Sequence, residues 1–267
     1  MKNVLLLIHD DRGQEARLQA ALDLTRALGG HLKCLDVSIL PVMIEDYVPT
    51  GGAAMIVESE RERESENRIR TEARLANEDV PYDWSDVTGD PAFALRQAGA
   101  LADVIVVNRH LAGLHFPDMR EIAGELLVTA DTPVLAVPEE ARGFDACGHA
   151  LVAWDGSKEA EEALQVAVPL LALAENVTLV EVDDGSVRVP AAEAARYLAR
   201  HGIEPVVRRV EAGGRRAGDV LLGEVVNQRA AYLVMGGYGH SRMVEAVFGG
   251  VTRKMLTESP VPLLLAH

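Results

Sequence analysis

The chain has 267 residues, of which 48% are hydrophobic, and it carries a formal net charge of −15 with only two cysteines. This composition suffices for a hydrophobic core in one large domain or two small ones, and the acidic excess excludes nucleic acid and anionic membranes as expected partners. Cys34 and Cys147 lie far apart without a CxxC spacing, which argues against a disulfide or zinc framework.

The first predicted element is a short apolar run at residues 4–8, followed by an Ala/Leu-rich stretch that predicts a helix. Asp10 and Asp11 lie between the two and are expected to cap that helix. The run is too short, and too soon followed by acidic residues, for a signal peptide or a membrane span. We therefore expect a cytoplasmic protein.

The pattern of this first segment returns in the second half of the chain. Residues 150–154 form an equivalent apolar run, followed by Asp155 and a helical stretch, and residues 177–182 repeat residues 32–37 at an offset of 145 positions. Three later matches are all 129 positions apart: Gly89-Asp90 with Gly218-Asp219, residues 103–107 with 232–236, and residues 132–137 with 261–266. The chain is therefore an internal duplication.

The offset falls from 145 to 129, so the first copy carries 16 extra residues. They fall around a Gly-containing loop and a charged stretch at about residues 54–77. Its mixed charges predict a solvated helix with ion pairs between successive turns. A partner-binding or lid role is the alternative for this helix.

Short apolar runs alternate with helical segments in both copies, which is typical of βαβ units around a parallel sheet. We predict an α/β protein with two tandem five-stranded, Rossmann-like domains, at residues 1–140 and 147–267, joined by a polar connector. The fifth strands, residues 133–137 and 261–266, are strongly apolar and are expected to pair, so that the halves form a pseudo-twofold unit. Further homodimerisation is left open.

Glycines are concentrated after the fourth predicted strand of the second copy. They form a G-x2-G-x9-G array at Gly236, Gly239 and Gly249, and Gly250, Val251 and Thr252 follow at the start of a predicted helix. Backbone N–H groups and a helix N-terminus in this arrangement can surround phosphate oxygens, and glycine permits an approach that a Cβ would block. A tight turn alone would need only one or two glycines.

This array resembles that of the universal stress proteins, whose ATP-binding members share G-x2-G-x9-G-[ST] after the fourth strand. The resemblance covers nearly the whole chain, because both halves have an aspartate after the first strand, a Gly-Asp pair before the third helix and a Pro-Val or Val-Pro final strand. It indicates the tandem type of the family. It implies an adenine nucleotide alpha-hydrolase-like fold and an ATP, ADP or AMP molecule bound by the second domain.

The resemblance also implies which residues form that site. Ala153 and Val182 would line the adenine pocket with Met235 nearby, and Asp155 would lie beside the nucleotide, where Mg²⁺ could contact it. Ribose and phosphates would be bound by Gly236, Gly239, Gly249, Gly250, Val251 and Thr252, with His240 in a position that is often basic.

Gly250 departs from the family pattern, which usually has Ser or Thr there. The backbone N–H remains but a hydroxyl donor is lost, so either affinity falls or AMP is preferred over ATP. Ser157 or Ser241 could compensate, although each is more often an ordinary helix cap or loop hydroxyl. Trp154 is either a stacking partner for the base or a core residue.

The first copy lacks the array, because Val107, His110 and Arg120 stand at the aligned places. This half is not expected to bind ATP in the family manner. A polar cluster follows its fourth strand, at Asn108, Arg109, His110 and His115. The cluster either recognises a different anion or belongs to a degenerate, structural domain, and its two histidines are weak evidence for a metal.

Two functions of different classes fit these features. The first is a stress-response adenine-nucleotide-binding protein that acts as a sensor or interaction module towards an unknown protein partner. The alternative is a slow ATP hydrolase or phosphotransferase. Only Asp155 and His240 are candidates for such chemistry, and no Lys or Arg clamp accompanies the array, so no catalytic residue is assigned. An adenylating enzyme is disfavoured, because its Ser-Gly-Gly-x-Asp-Ser loop is missing after both first strands.

Overall fold

A computed structural model describes residues 1–38, 52–111, 118–238 and 250–267, with the backbone alone for residues 52–61. The first half contains β1 Asn3–Ile8, α1 Gln14–Leu28, β2 His31–Ser38, α2 Gly52–Leu75, β3 Tyr82–Thr88, α3 Pro91–Ala98, β4 Val104–Asn108, α4 Met119–Thr129 and β5 Val134–Val137. The second half contains β6 Ala150–Trp154, α5 Lys158–Leu171, β7 Val177–Asp183, α6 Ala191–Arg200, β8 Val206–Glu211, α7 Ala217–Asn227, β9 Tyr232–Gly236, α8 Gly250–Glu258 and β10 Leu263–Ala266.

The ten strands form one sheet in the order β3-β2-β1-β4-β5-β10-β9-β6-β7-β8. Each half has the same internal order, and all its neighbouring strands are parallel. The halves meet where β5 and β10 pair antiparallel. The α/β fold with two equivalent five-stranded halves is therefore confirmed, and so is the pairing of the fifth strands.

The β5–β10 junction lies on a pseudo-twofold axis. Leu135 lies opposite Leu264 in the antiparallel register, and these residues are 129 positions apart, which is the repeat offset. Both are almost fully buried. The apolar edges that each half would otherwise expose are thus satisfied within one chain.

Two apolar layers cover the sheet, one on each face. One contains Leu22 of α1 and Leu164 of α5, and the other contains Leu126 of α4 and Leu256 of α8. Each layer draws residues from both halves, so the hydrophobic core continues across the junction. The central strands are buried throughout, whereas most of β3 and β8, at the sheet edges, is exposed or half-exposed.

The structure corrects several details of the repeat. Asn108, not Val107, is equivalent to Gly236, because Asn108 pairs with Val137 of β5 and Gly236 pairs with the equivalent Ala266 of β10. The Gly-Asp match also fails in register. Asp90 is the N-cap of α3, whereas Asp219 lies inside the first turn of α7.

One local expectation for the first half was also wrong. Gly13 is the N-cap of α1 and makes no side-chain cap bond, although the Asp11 carboxylate accepts a hydrogen bond from the Gly13 N–H. The inserted helix α2 has the expected ion pairs between successive turns, such as Arg68 with Glu72, but one of its faces is buried, at Glu64 and Asn67. No helix in the described ranges is both long and apolar enough to cross a membrane.

Candidate functional site

A cavity of about 260 Å³ opens at the carboxyl edge of the sheet in the second half. Its walls come from the ends of β6, β7 and β9 and from the N-terminal parts of α5, α7 and α8. Open parallel α/β sheets bind ligands at this edge, at the point where the strand order reverses. In the second half that point lies between β6 and β9. The fold thus places the cavity where a ligand site is expected.

The deep part of the cavity is apolar. Ala153 on β6, Val182 on β7 and Met235 on β9 line it, together with three residues that sequence analysis did not single out: Val180, Ala217 and Leu221. The last two belong to α7, and only the tertiary packing of that helix brings them here. An apolar cleft with a few polar groups at its mouth suits a flat, largely apolar ring.

The mouth of the cavity carries the start of α8. Gly250, Val251 and Thr252 line it, and so does Gly236 at the end of β9. The first N–H groups of a helix have no partner within the helix, so this end offers donors to an anion. The Thr252 hydroxyl accepts a hydrogen bond from the Tyr238 N–H at 3.2 Å, which leaves its own hydrogen available for donation.

The two glycines at the mouth differ in what surrounds them. A Cβ on Gly236 would lie 2.7 Å from the Ala160 nitrogen, so this glycine is needed for the close packing of β9 against the start of α5. A Cβ on Gly250 would meet no atom of the described residues within 4 Å. Gly236 therefore has a packing reason independent of any ligand, whereas a side chain at Gly250 meets none of the residues that the structure describes.

The turn after β6 is fixed by its own hydrogen bonds. The Asp155 carboxylate accepts from the Ser157 N–H at 2.9 Å, and the Ser157 hydroxyl caps α5 by accepting from the Ala160 N–H at 3.2 Å. Gly156 has a φ of 71°, which glycine adopts without strain. The indole N–H of Trp154 donates to the Val189 carbonyl at 2.8 Å, and Trp154 is a buried core residue.

Three carboxylates border the cavity, from Asp155, Glu159 and Asp184. Asp184 follows β7 and accepts a hydrogen bond from the hydroxyl of Ser186, another lining residue that sequence analysis missed. No Lys, Arg or His side chain lines the part of the wall that the structure describes. Nor do the described residues include a group of three or more His, Cys, Asp or Glu side chains suited to hold a metal.

The structure thus brings eight of the eleven predicted site residues to one cavity: Ala153, Asp155, Val182, Met235, Gly236, Gly250, Val251 and Thr252. The other three, Gly239, His240 and Gly249, lie outside the described residues, as does Ser241.

In the first half, side chains occupy the equivalent edge. Arg17 is fully buried and donates to the Asn108 and Asp11 side chains, each at 2.7 Å, and to the Leu7 and His9 carbonyls. Asn108 also donates to the Gly13 carbonyl at 3.2 Å. Of the polar cluster that we singled out, these bonds hold only Asn108. The Nδ1 atom of His110 is buried with no hydrogen-bond partner among the described residues, and His115 lies outside them.

Helix α2 closes the same edge from the side. Glu64 lies 2.7 Å from the Nδ1 atom of His9, and both side chains are buried. The His9 contact keeps the pKa of Glu64 below its ordinary value, although burial opposes this. Burial, with the nearby charges of Glu64 and Asp86, raises the pKa of Asp36 to about 7. One oxygen of Asp36 is buried without a hydrogen-bond partner in the described structure.

Arg109 is directed away from this edge and towards the second half. Its Nη1 atom donates to the carbonyls of Leu256 and Thr257, at 3.3 and 2.6 Å, at the C-terminal end of α8. Burial lowers its pKa, while Glu140 and Glu139 oppose that effect. Arg109 therefore forms hydrogen bonds with the other half of the molecule.

The fold and the cavity define an α/β protein of two equivalent halves with a ligand-sized cleft in the second. Residues 148–267 match the family model described as the universal stress protein family. The C-terminal half therefore matches the universal stress protein family, and the first half has the same fold, as the resemblance indicated.

Solved structures support the tandem architecture. A universal stress protein from Archaeoglobus fulgidus DSM 4304 is 17% identical, has a TM-score of 0.77, and aligns over 99% of this chain and 95% of its own. A putative universal stress protein from Pseudomonas aeruginosa UCBPP-PA14 is 16% identical, with a TM-score of 0.56, and aligns over 99% and 92%. No curated protein matches the chain in sequence.

Proposed function

We propose that the C-terminal half binds an adenine nucleotide, ATP, ADP or AMP, and that the protein acts as a stress-response sensor or interaction module. The observation that carries this proposal is the cleft itself. Its apolar depth suits a purine ring, and its mouth carries the first N–H groups of α8, where no described residue lies within 4 Å of a Cβ placed on Gly250.

In this proposal the base lies against Ala153, Val182 and Met235. The phosphates lie at the start of α8, with Gly239, His240 and Gly249 completing their surroundings. Asp155 is the protein's carboxylate for the ribose or for Mg²⁺. Because the described residues hold no metal-binding cluster, phosphate oxygens and water would supply most ligands of that ion.

The two halves have different roles in this proposal. We assign residues 147–267 to the nucleotide-binding domain and residues 1–140 to a degenerate domain that does not bind ATP in the same way. The support is the network around Arg17, which occupies the first half's edge with side chains. Where the second half has Gly236, the first half has the buried Asn108.

The test is a calorimetric titration of ATP against three proteins. The Cβ introduced by Gly250→Asp meets none of the described residues within 4 Å, and a carboxylate is favourable at a helix N-terminus, so we expect folding to be retained while phosphate is repelled. We expect binding by the wild-type protein and at least about tenfold weaker binding by this variant.

The matched control is Gly223→Asp, because a side chain at Gly223 in α7 also meets open space. It should bind ATP like the wild-type protein. Absence of binding to the wild-type protein, or equal binding by the wild-type protein and the Gly250→Asp variant, would refute the proposal.

A further inference from the structure

The two ends of helix α8 have different surroundings. Its first residues, Gly250 to Thr252, line the proposed nucleotide cavity. Its last carbonyls, on Leu256 and Thr257, accept hydrogen bonds from Arg109, which follows β4 of the first half. Gly250 and Thr257 are about 10 Å apart along a helix of this length. A helix is stiff over this distance, so a contact at one end affects where the other end lies.

The Arg109 contact is a strong one. A guanidinium at a helix C-terminus is stabilised by the partial negative charge of the exposed carbonyls. Arg109 is largely withdrawn from water, and its Nε atom has no hydrogen-bond partner among the described residues. A desolvated cation depends on the partners it does have, which makes the α8 carbonyls its principal support. Loss of this contact is therefore costly to both groups.

The pseudo-twofold axis places an equivalent pair of residues, without the guanidinium, on the other side. Arg109 and Gly237 are equivalent, because their N–H groups donate to the equivalent carbonyls of Val137 and Ala266. Arg109 contacts Leu256 of α8, and a Cβ on Gly237 would lie 3.2 Å from a methyl group of Leu127 on α4. Leu127 and Leu256 are 129 positions apart, the repeat offset. Each half thus contacts the last helix of the other.

Tyr238 makes a second connection between the first half and the cavity. Its N–H donates to the Thr252 hydroxyl at the cavity mouth. A Cβ on Gly124 of α4 would lie 3.0 Å from its hydroxyl oxygen, so the ring of Tyr238 reaches the first half. Burial raises the pKa of Tyr238, and Arg120 and Arg253 oppose that effect. Tyr238 therefore links the start of α8 to the first half, as Arg109 links its end.

We propose that Arg109 is a positioning residue for the nucleotide site: by holding the C-terminal end of α8, it places the N–H groups at the other end for phosphate. Side chains occupy the equivalent sheet edge of the first half. Through Arg109, the first half sets the affinity of the second half for phosphate-bearing ligands. By linkage, a bound nucleotide stabilises the contact between the halves to the same extent. This inference rests on the proposed function, and it adds the residue through which the halves are coupled.

The experiment compares ATP with adenosine, because only ATP uses the start of α8. Arg109→Met removes the donor and retains the aliphatic chain. We expect affinity for ATP to fall about fivefold, at the lower end of couplings between sites, while affinity for adenosine stays within a factor of about two. A purely structural role would weaken both ligands equally.

Two further variants separate charge from contact. Arg120→Met removes a positive charge near Tyr238, but the described bonds of Arg120 are to Asp118 of its own half. It should leave the ratio of the two affinities unchanged. Arg109→Lys restores one donor and should recover part of the affinity for ATP. An unchanged ratio in Arg109→Met, or an equal change in Arg120→Met, would overturn the inference.

Hydrogen exchange in the ligand-free protein tests the contact independently of the proposed function. Arg109→Met should speed amide exchange within residues 253–258 of α8, whereas Arg120→Met should not. If the wild-type protein bound neither ligand, the proposed function and the affinity claim would both fail. Unchanged exchange in Arg109→Met would refute the anchoring of α8 itself.

Discussion

At the scale of single residues, Gly250 is the position where the glycine array departs from the universal stress protein pattern and where the described residues leave room. Gly250 lines the cavity in the first turn of α8, and among the described residues a Cβ there meets nothing within 4 Å. Replacing Gly250 by Ser restores a hydroxyl donor at the proposed phosphate position without a steric penalty. In the proposed function, Gly250 therefore limits the number of phosphate contacts rather than the shape of the site.

We expect Gly250→Ser to bind ATP more tightly than the wild-type protein, by about fivefold to tenfold, as one charge-assisted hydrogen bond provides. Adenosine affinity should not change, since the nucleoside lies deeper in the cavity. Calorimetric titration of both ligands measures the effect. Equal gains for ATP and adenosine would show that the hydroxyl acts on the base or the ribose instead.

Gly236 presents the opposite case, because its environment is already filled. The Cβ introduced by Gly236→Ala would lie 2.7 Å from backbone atoms of Glu159 and Ala160, which cannot easily move. We expect a loss of about 1–3 kcal/mol in the free energy of unfolding, measured by urea denaturation.

Gly223→Ala, in the open middle of α7, is the control for this measurement. It should be neutral or stabilising, because alanine favours helix more than glycine does. An unaltered stability of Gly236→Ala would show that β9 and α5 are not packed as described.

At the scale of elements, α2 packs over the edge of the first half and buries an uncompensated carboxyl. Asp36 of β2 faces Glu64, Arg68 and Glu72 of α2 and Asp86 of β3. Burial raises its pKa from 3.8 to about 7, so the folded protein binds its proton more tightly than the unfolded chain does. The stability contributed by this proton is complete below about pH 4 and is lost as the pH rises towards 7.

Asp36→Asn mimics the protonated side chain at every pH. We expect the variant to exceed the wild-type protein in free energy of unfolding by roughly 2–4 kcal/mol at pH 8, since each pKa unit corresponds to about 1.4 kcal/mol. The difference should shrink steadily as the pH is lowered to 5. Urea denaturation across this range gives the comparison, and a difference independent of pH would contradict the burial of an ionisable Asp36.

How well the sequence predicts the bounds of a strand depends on whether the strand lies at the centre or at the edge of the sheet. The central strands, such as β1 and β6, are buried on both faces and appear as uninterrupted apolar runs, so their bounds were predicted to within a residue or so. The edge strands β3 and β8 are mostly exposed and show no such run. Among the site residues, the glycines and Asp155 could be found from local pattern. Leu221 and Arg109 could not, because only tertiary packing gives them their positions.

At the scale of the whole molecule, one sheet and two shared apolar layers join the halves. Leu135 and Leu264 pair at the junction, and both are buried. A continuous core of this kind makes separate unfolding of one half costly, because it would expose the apolar face of the other. The duplicated chain should therefore behave as one cooperative unit.

The two tryptophans allow this to be measured, since Trp84 lies in β3 of the first half and Trp154 in β6 of the second. Trp84→Phe and Trp154→Phe each leave one reporter. Within either single-tryptophan protein, we expect the fluorescence transition in urea to coincide with the loss of helical circular dichroism. Reporters that change at distinct midpoints from the helical signal would show that the halves unfold independently.

A crystal structure with a non-hydrolysable ATP analogue would show whether the second half's cleft holds the nucleotide. We expect the adenine between Val182 and Met235 and the phosphates at the N–H groups of Gly250 to Thr252. An analogue bound at another place on the molecule, or a cleft left empty at saturating concentration, would contradict this expectation.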